Sequence, residues 1–317
     1  MLRKKGEYRR PSYVDPDDVR LVSLIRQGAK AASGAVNLLG IPFDGATLGR
    51  KGSAGGPAAI RSAMSGFSNY NIEEGVGLEG SRVVDLGDIE DLSEDVIAAH
   101  RKIEAEVSKE LKRDSLLVLL GGDNSVSLPS LRATAKKFGR LGLVVIDSHL
   151  DLRGKINGKP TSGSSYGLAI EELEGLDPRR VVEIGAHGFL HSETYVKKAR
   201  RLGVNLVTAE EVSRIGAKEV GEKAYSIASD GAEAVYLSID VDAVDLGEVS
   251  GVSAPTAGGM SAREMLDVVM AVGRGKKTVS ADIVELAPSL DPSGKSSIVG
   301  GSALAALIGA FVSRTHS

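Results

Sequence analysis

The sequence contains no cysteine and no tryptophan, and only 4% of its 317 residues are aromatic. The absence of cysteine excludes disulfides, iron–sulfur clusters and zinc sites with thiolate ligands. The chain also lacks an excess of charge of either sign, because its net charge at pH 7 is only -3, which argues against a nucleic-acid or anionic-membrane partner. Its apolar runs fall short of the roughly 18 residues needed to cross a bilayer, so no membrane-spanning segment is predicted.

The N-terminus lacks the apolar segment of a secretory signal. Residues 1–18, MLRKKGEYRRPSYVDPDD, contain basic residues with no apolar core after them. We interpret residues 1–34 as an N-terminal extension, either a solvated tail or an arm that contacts another subunit. The predicted location of the protein is the cytoplasm.

What the sequence does contain is a regular alternation of short apolar runs and amphipathic segments. This alternation predicts parallel strands joined by crossover helices. We therefore predict an α/β fold: a three-layer α/β/α sandwich with a mostly parallel sheet of about eight strands, with a (β/α)8 barrel as the alternative. No low-complexity linker interrupts the pattern, so residues 35–317 are predicted to form a single domain. The predicted strands are 35–41, 82–88, 115–122, 141–147, 180–186, 204–208, 234–240 and 278–286, and the predicted helices include 94–113, 192–203 and 261–274.

A glycine-rich stretch, LGRKGSAGGPAAIR (48–61), lies between a predicted strand and a helix. It lacks the spacing of both common phosphate-binding loops, G-x-x-x-x-G-K-[ST] and G-x-G-x-x-G. We therefore interpret it as a long loop followed by a helix that begins at Pro57, because proline is favoured in the first turn of a helix.

Polar side chains cluster where three of the predicted strands end. Ligands of a parallel sheet gather at the carboxyl ends of its strands, and alternate residues of an extended segment point the same way. Asp147, His149 and Asp151 can therefore share one side, as can Asp240 and Asp242. The clustered residues are Asp123 and Asn124 after the third strand, Asp147, His149 and Asp151 after the fourth, and Asp240, Asp242 and Asp245 after the seventh.

Four converging carboxylates and an imidazole would repel one another without a cation. Oxygen ligands with one histidine and no thiolate favour Mn²⁺, with Fe²⁺, Co²⁺ or Ni²⁺ as alternatives. Two bridging carboxylates would hold a pair of ions at the separation of about 3.5–4 Å that is typical of two-metal sites. A capped turn would explain Asp-Ser-His-Leu-Asp alone, but the second cluster of aspartates favours a metal site.

These motifs resemble those of the ureohydrolase family, which comprises arginases, agmatinases and formimidoylglutamases. IDSHLD resembles the family's D-A-H-x-D, SIDVDAVD resembles S-x-D-x-D-x-x-D, and LLGGDNS resembles G-G-D-H-S. LGIPFDGATLGRKGSAGGPAAIR (39–61) is similar to the family's early block, and ADIVELAP (281–288) to its late Asp-x-x-Glu-x-x-Pro. The resemblance covers about residues 35–312, with the motifs in the family's order.

The resemblance implies an arginase-like fold and a two-manganese site whose bridging hydroxide cleaves a non-peptide C–N bond of an amidine or guanidine. Carried over, Asp147 and Asp240 would bridge both ions. Asn124 and Asp151 would complete the first metal site, and His149 and Asp242 the second. Asp151 and Glu285 would be catalytic: Asp151 would hydrogen-bond the hydroxide, and Glu285 would face the cationic amidine of the substrate. The family also implies a homo-oligomer, a trimer or a hexamer.

The chain departs from the family pattern at two positions. Asn124 replaces the histidine of G-G-D-H-S, and an amide oxygen is a weaker donor to Mn²⁺ than an imidazole, so the first metal site is predicted to be weak. The histidine of the His-Gly-x-Pro element is also absent, because NGKPTSGSSYGLA (157–169) offers Asn157 or Ser162 instead. The proton for the leaving amine would then come from Asp151 or from water.

The same departures favour a dicarboxylate substrate. Arg153 follows the metal motif in DSHLDLR, and Ser162 precedes Gly163, as in formimidoylglutamases. Arg153 could pair with a substrate carboxylate, so formimidoylglutamate is the predicted substrate. His187, for which we predict a substrate-binding role, and His191 follow a strand and could line the same pocket. An agmatinase is the alternative enzyme, and a non-catalytic binding or structural protein of the same fold is the alternative of another class.

Overall fold

The computed structural model describes residues 3–9 and 15–314. Its strands are β1 (Ile25–Gln27), β2 (Val36–Gly40), β3 (Tyr70–Asn71), β4 (Val76–Gly77), β5 (Val83–Asp88), β6 (Leu116–Leu120), β7 (Leu141–Ile146), β8 (Leu176–Ala186), β9 (Asn205–Thr208), β10 (Ala234–Asp240) and β11 (Thr278–Val284). Nine of them form a parallel sheet in the order β1-β5-β2-β6-β11-β10-β7-β8-β9. The other two, β3 and β4, form a short antiparallel pair.

The predicted parallel sheet is confirmed, since all eight segments predicted as strands belong to it. The ninth strand, β1, was not predicted. It is only three residues long, with one half-buried and two exposed side chains, so no apolar run marks it in the sequence. The sheet is open, with β1 and β9 at its edges, so the alternative of a closed (β/α)8 barrel is wrong.

The helices cover both faces of the sheet. They are α1 (Gly56–Ala63), α2 (Val96–Glu110), α3 (Ser127–Phe138), α4 (Ser165–Glu172), α5 (Glu193–Leu202), α6 (Ala209–Ile215), α7 (Ala217–Ser229), α8 (Ala262–Gly273) and α9 (Lys295–Ser313). Alternate residues of β7 enter two separate hydrophobic cores. Val144 and Ile146 lie in the core that contains α1, α6, α7, α8 and α9, whereas Leu143 and Val145 lie in the core that contains α2, α3, α4 and α5. This arrangement confirms the three predicted layers.

Local signals in the sequence explain where several helices begin and end. Asp95 accepts the Ala98 N–H at 3.0 Å and caps the start of α2. Gly203 adopts φ 84°, which suits glycine, and ends α5. α1 begins at Gly56 with Pro57 in its first turn, one residue before the predicted start. The three predicted helices at 94–113, 192–203 and 261–274 are confirmed as α2, α5 and α8.

One helix meets the length and composition required to cross a membrane. α9 has 19 residues and is long and apolar enough for a span by length and composition alone, although serine and lysine interrupt its apolar residues. Most of α9 is buried inside the protein, where it packs against α1 and α8. Its apolar composition is therefore explained by its place in the core.

The N-terminal segment is packed on the domain where it is described. Arg3 forms ion pairs with Glu106 and Glu110 of α2, each at 2.9 Å, and the Tyr8 hydroxyl donates to Asp85 at 2.6 Å. The interpretation of residues 3–9 as a solvated tail is therefore wrong, while residues 1–2 and 10–14 lie outside the described residues. β1 also falls within the predicted extension 1–34, whose boundary stays a prediction.

Candidate metal centre

Four neighbouring strands bring polar residues to one edge of the sheet. β6, β11, β10 and β7 are consecutive in the sheet, and their register pairs Asp240 with Val284 and Ile239 with Ile146. Because the carboxyl ends of parallel strands meet at one edge, residues from separate motifs lie together there. The polar residues at or just beyond these ends are Asp123, Asn124, Asp147, His149, Asp151, Asp240, Asp242 and Glu285.

The turn after β6 depends on a close approach between backbones. A Cβ at Gly122 would lie 1.7 Å from the Phe43 carbonyl oxygen, so only glycine fits there. The next residue, Asp123, is fully buried and accepts the N–H groups of Ala46 at 2.8 Å and Ser125 at 2.9 Å. Asp123 therefore holds the loop after β2 against the turn after β6.

An imidazole lies between two carboxylates at the ends of β7 and β10. One donor atom from each of Asp147, His149 and Asp242 lies within 4.8 Å of the other two. His149 Nδ1 is 3.2 Å from Asp242 Oδ2 and 3.4 Å from Asp147 Oδ1. The Ser148 hydroxyl donates to Asp242 at 2.8 Å and orients its carboxylate. These are three of the four residues predicted to bind the second metal ion; the fourth is Asp240.

The electrostatics of this edge favour a cation. Burial raises the pKa of Asp147 well above its usual range, and the charges of Asp151 and Asp242 raise it further. Burial also raises the pKa of Asp240, and the charges of Asp242 and Asp147 raise it further. Burial lowers the pKa of His149, but the hydrogen bonds and charges of Asp147 and Asp242 outweigh it and raise that pKa to about 12. A cluster with these shifts takes up either protons or a cation.

The donor atoms present fit a hard divalent cation. Asp147 Oδ2 and Glu285 Oε2 are buried and have no hydrogen-bond partner among the described residues. Leaving a buried acceptor unpaired costs about 1–3 kcal/mol, and more for a charged group. Carboxylate oxygens with one imidazole are a suitable donor set for Mn²⁺.

Two residues of the cluster adopt a backbone conformation that side chains rarely allow. Asp151 has φ 43° and Glu285 has φ 64°. Such positions cost on the order of 1–3 kcal/mol each and persist where the surrounding structure fixes them. The Glu285 N–H donates to the Gly122 carbonyl at 2.8 Å, and the Asp151 carbonyl accepts the Gly167 N–H at 3.0 Å. The strain therefore falls on the two residues predicted to be catalytic.

Asn124 and Asp151, predicted to complete the first metal site, are in contact. The amide nitrogen of Asn124 lies 2.5 Å from Asp151 Oδ2. Its amide oxygen lies on the other side, 2.9 Å from Ser127 Oγ and 3.0 Å from Tyr166 Oη. The backbone N–H of Asn124 donates to Glu285 Oε1 at 2.7 Å. Asn124 thus lies beside Asp151, and the end of its amide that faces Asp151 is the nitrogen.

A cavity of about 310 Å³ opens on this cluster. Arg153 is exposed and lines this cavity, and its guanidinium carbon lies 5.5 Å from the centre of the Tyr195 ring. Ser162 Oγ accepts the Leu48 N–H at 3.1 Å and so connects two loops of the rim. The polar and aromatic residues that line the cavity include His149, Asp151, Arg153, Ser162, His191, Ser192, Tyr195, Asp240, Asp242, Ser253 and Glu285.

The two histidines after β8 have different surroundings. His191 lines the cavity, 6.4 Å from the His149 ring centre, and its buried Nε2 has no partner among the described residues. His187 is absent from that lining. Its Nδ1 is 2.8 Å from the Gly185 carbonyl and its Nε2 is 3.0 Å from Thr256 Oγ1, and it borders a separate groove. The structure therefore does not bring His187 to the substrate cavity as we predicted, and His191 lies there instead.

A buried cluster behind Asn124 was not predicted from the sequence. We call it the Asp282 cluster, and it consists of Asp282, Ser127, Tyr166, Tyr236 and Ser238. The signal that could have found it is the acidic residue inside the apolar strand TVSADIV, because a charge in a fully buried strand needs partners.

Comparisons with known proteins agree with this geometry. A family model described as "Arginase family" matches residues 34–309. A formimidoylglutamase of Halobacterium salinarum is 35% identical over 90% of this chain and 92% of its own. An agmatinase of Bacillus cereus is 32% identical over 81% of this chain and 85% of its own. A crystal structure of Trypanosoma cruzi formiminoglutamase, described as containing Mn²⁺, superposes with a TM-score of 0.85 at 29% identity and covers 94% of this chain and 100% of that one.

Proposed function

The chain belongs to the arginase family, and from this premise we propose that it is a formimidoylglutamase, which hydrolyses formimidoylglutamate to glutamate and formamide. The observation that carries the choice of substrate is that Arg153 lines the same cavity as the acidic cluster. A substrate that bears an amidine at one end and carboxylates at the other matches a cavity with these two kinds of group. The similarity to the formimidoylglutamase of Halobacterium salinarum supports the same choice.

We propose that two Mn²⁺ ions occupy each subunit. Asp147 and Asp240 are the proposed bridging ligands, Asn124 and Asp151 complete the first metal site, and His149 and Asp242 complete the second. When bound, such a pair of ions acts as a Lewis acid and makes a water-derived nucleophile available near neutral pH. The manganese named for the Trypanosoma cruzi protein supports this choice of metal.

The remaining groups of the cavity have proposed roles in binding and proton transfer. Glu285 uses Oε1 to accept the Asn124 N–H, which leaves Oε2 as an acceptor for the N–H groups of a cationic amidine. Asp151 is the proposed carrier of the proton to the leaving amine, because the family's His-Gly-x-Pro histidine is absent. His191 and Ser162 line the path to the cluster and are proposed to contact the substrate.

The substrate panel that tests the proposal uses formimidoylglutamate and agmatine with added Mn²⁺. Formamide and glutamate from the first would support a formimidoylglutamase. Urea and putrescine from agmatine, with no reaction of formimidoylglutamate, would support the alternative agmatinase, which the similarity to the Bacillus cereus enzyme favours. A chain that binds no Mn²⁺ and hydrolyses neither compound would instead favour a non-catalytic protein.

Replacing Arg153 is expected to separate the two substrates. Arg153→Met removes the cation proposed to pair with a substrate carboxylate, and a hydrogen bond between charged groups is worth about 1.5–3 kcal/mol. We therefore expect kcat/KM for formimidoylglutamate to fall about 10–100-fold. Any slow hydrolysis of agmatine, which has no carboxylate, should not fall.

Arg179 provides a matched control for this prediction. Its side chain is 79% exposed and pairs only with Asp177 among the ion pairs of the described residues. Arg179→Met should leave both substrates unaffected. An equal loss with both substrates in Arg153→Met would show that Arg153 supports the loop and does not select the substrate.

Asn124→His is expected to strengthen the first metal site. An imidazole is a stronger donor to Mn²⁺ than an amide oxygen and gains a second hydrogen bond through its other nitrogen. Contacts of this kind change metal affinity about 10–100-fold, which is the tightening expected at the weaker of the two sites. Equilibrium titration of the apoprotein, with free Mn²⁺ measured by electron paramagnetic resonance, gives both affinities. The affinity of the second site is the internal control, and an unchanged titration would contradict the ligand role of Asn124.

We propose in addition that the protein is a cytoplasmic homo-oligomer, a trimer or a hexamer. Apolar side chains that are exposed in the single chain, among them Ile72 and Phe189, support a subunit interface. Sedimentation equilibrium of the Mn²⁺-loaded protein tests the subunit number.

A further inference from the structure

A buried carboxylate in β11 is surrounded by hydroxyl donors. Asp282 is fully buried and accepts hydrogen bonds from Ser127 at 2.7 Å, Tyr236 at 2.6 Å and Ser238 at 2.6 Å. The Ile239 N–H adds a fourth, longer contact at 3.4 Å. Burial raises the pKa of Asp282, and these four hydrogen bonds oppose that effect because they stabilise its charged form.

The positions of the hydroxyl hydrogens follow from this arrangement, because each hydroxyl has one hydrogen to donate. Ser127 and Ser238 both use theirs on Asp282. Ser238 Oγ also lies 2.9 Å from Tyr166 Oη and, with its own hydrogen committed, must accept the hydrogen of Tyr166. Ser127 and Tyr166 therefore have no hydrogen left for Asn124 and can only accept from it.

The number of available hydroxyl hydrogens decides which end of the Asn124 amide faces Ser127 and Tyr166. The two ends of an amide have nearly the same shape, so their hydrogen-bond partners distinguish them. Ser127 Oγ at 2.9 Å and Tyr166 Oη at 3.0 Å are two acceptors, which match the two hydrogens of an amide nitrogen. Turning the amide by 180° satisfies both of them and places its oxygen beside Asp151 Oδ2, where two oxygens need a cation between them.

We propose that Asp282 is a positioning residue that, through the hydroxyls of Ser127, Ser238 and Tyr166, turns the amide oxygen of Asn124 towards the first metal site. The inference rests on the two-metal part of the proposed function. Asp282 itself touches neither the substrate nor an ion in this arrangement. Its role is to take up the hydroxyl hydrogens that would otherwise point at Asn124 and hold the amide in the opposite orientation.

Asp282→Asn tests this role because it keeps the shape and reverses the hydrogen bonding. The amide nitrogen of the new asparagine cannot face the Ile239 N–H, because both are donors, so it faces Ser127. The Ser127 hydroxyl then accepts a hydrogen bond from this nitrogen and has its own hydrogen free for Asn124. That hydrogen favours the orientation in which the amide oxygen of Asn124 faces Ser127 and the amide nitrogen faces Asp151. In a titration of the apoprotein with Mn²⁺ alone, monitored by electron paramagnetic resonance, we expect the first site to weaken about 10–100-fold and the second site to keep its affinity.

Tyr236→Phe is the matched control. It removes another donor to the same carboxylate, but Tyr236 forms no hydrogen bond with Asn124 among the described residues, so both Mn²⁺ affinities should remain as in the wild type. If Asp282→Asn does not fold, Ser127→Ala takes its place, and the loss of one acceptor should weaken the first site alone. Unchanged affinity in Asp282→Asn, or equal weakening of both sites in either Asp282→Asn or Tyr236→Phe, would overturn the proposal.

The wild-type titration separates this inference from the proposed function. Binding of one Mn²⁺ ion per chain with full hydrolysis of formimidoylglutamate would overturn the positioning role and leave the function standing. Binding of two ions with the expected response to Asp282→Asn, but without hydrolysis of any amidine, would support the positioning role and reject the function.

Discussion

Asp240→Ala is expected to lose both manganese ions and to reduce hydrolysis by at least about 1,000-fold, since removing one member of a catalytic unit typically abolishes most of its effect. Asp240 ends β10, is 2% exposed and is proposed to bridge the two ions. Elemental analysis after dialysis measures the metal content, and formamide release measures the rate.

The same substitution should not destabilise the metal-free protein. Burial and the charges of Asp242 and Asp147 raise the pKa of Asp240, so its ionised form opposes folding at neutral pH in the absence of a cation. Alanine removes that cost. We expect metal-free Asp240→Ala to unfold in urea at the same concentration as the wild type or at a higher one, which separates loss of metal from loss of structure.

Asp245→Ala is the control within the same motif. Asp245 accepts the N–H groups of Gly247 and Gly258, each at 2.7 Å, and so caps a loop beyond the metal cluster. This variant should keep both ions and most of the activity. Retention of two Mn²⁺ ions and activity by Asp240→Ala would contradict the proposed ligand set.

The central sheet could be predicted because its strands are buried on both faces. LGLVVI is apolar throughout and AVYLSID is apolar up to Leu237, and the polar residues at their ends mark the edge where ligands collect. β1 could not be predicted, since three residues at the sheet edge carry no periodic signal. The composition of α9 alone does not decide its environment, because a helix buried in a core and a helix in a membrane have the same apolar character.

The features that escaped prediction depend on contacts between distant segments. Arg3 and Tyr8 look solvated in a basic N-terminus, but their acidic partners lie more than 70 residues away in sequence. His187 and His191 follow the same strand, and the course of the loop after β8 decides which of them reaches the cavity. The spacing of the motifs identified Asn124, but one of the two hydroxyls beside its amide belongs to Tyr166 of α4, which lies 42 residues away in sequence.

Arg61→Leu is expected to cause the largest loss of stability among single substitutions away from the metal centre. Arg61 projects from α1 with its side chain 1% exposed, and it binds both oxygens of Asp85, at 2.8 and 2.9 Å, and Asp88 at 2.6 Å. Burial opposes its charge, but the carboxylates of Asp85 and Asp88 raise its pKa, so it stays a cation. Leucine would leave Asp85 buried without a counter-ion, which costs about 3–5 kcal/mol in the free energy of unfolding.

Urea denaturation of three further variants identifies the cause of that loss. The double variant Arg61→Leu/Asp85→Leu removes the unpaired charge as well and should recover part of the stability, because a buried pair replaced as a unit costs less than a pair that is broken. Arg61→Lys keeps the charge but loses the bidentate hydrogen bonding to Asp85, so its loss of stability should be intermediate. Arg263→Leu, which breaks exposed pairs with Glu73 and Asp267, should cost less than about 1 kcal/mol. If Arg61→Leu is no more destabilising than Arg263→Leu, the buried pair does not stabilise the contact between α1 and β5.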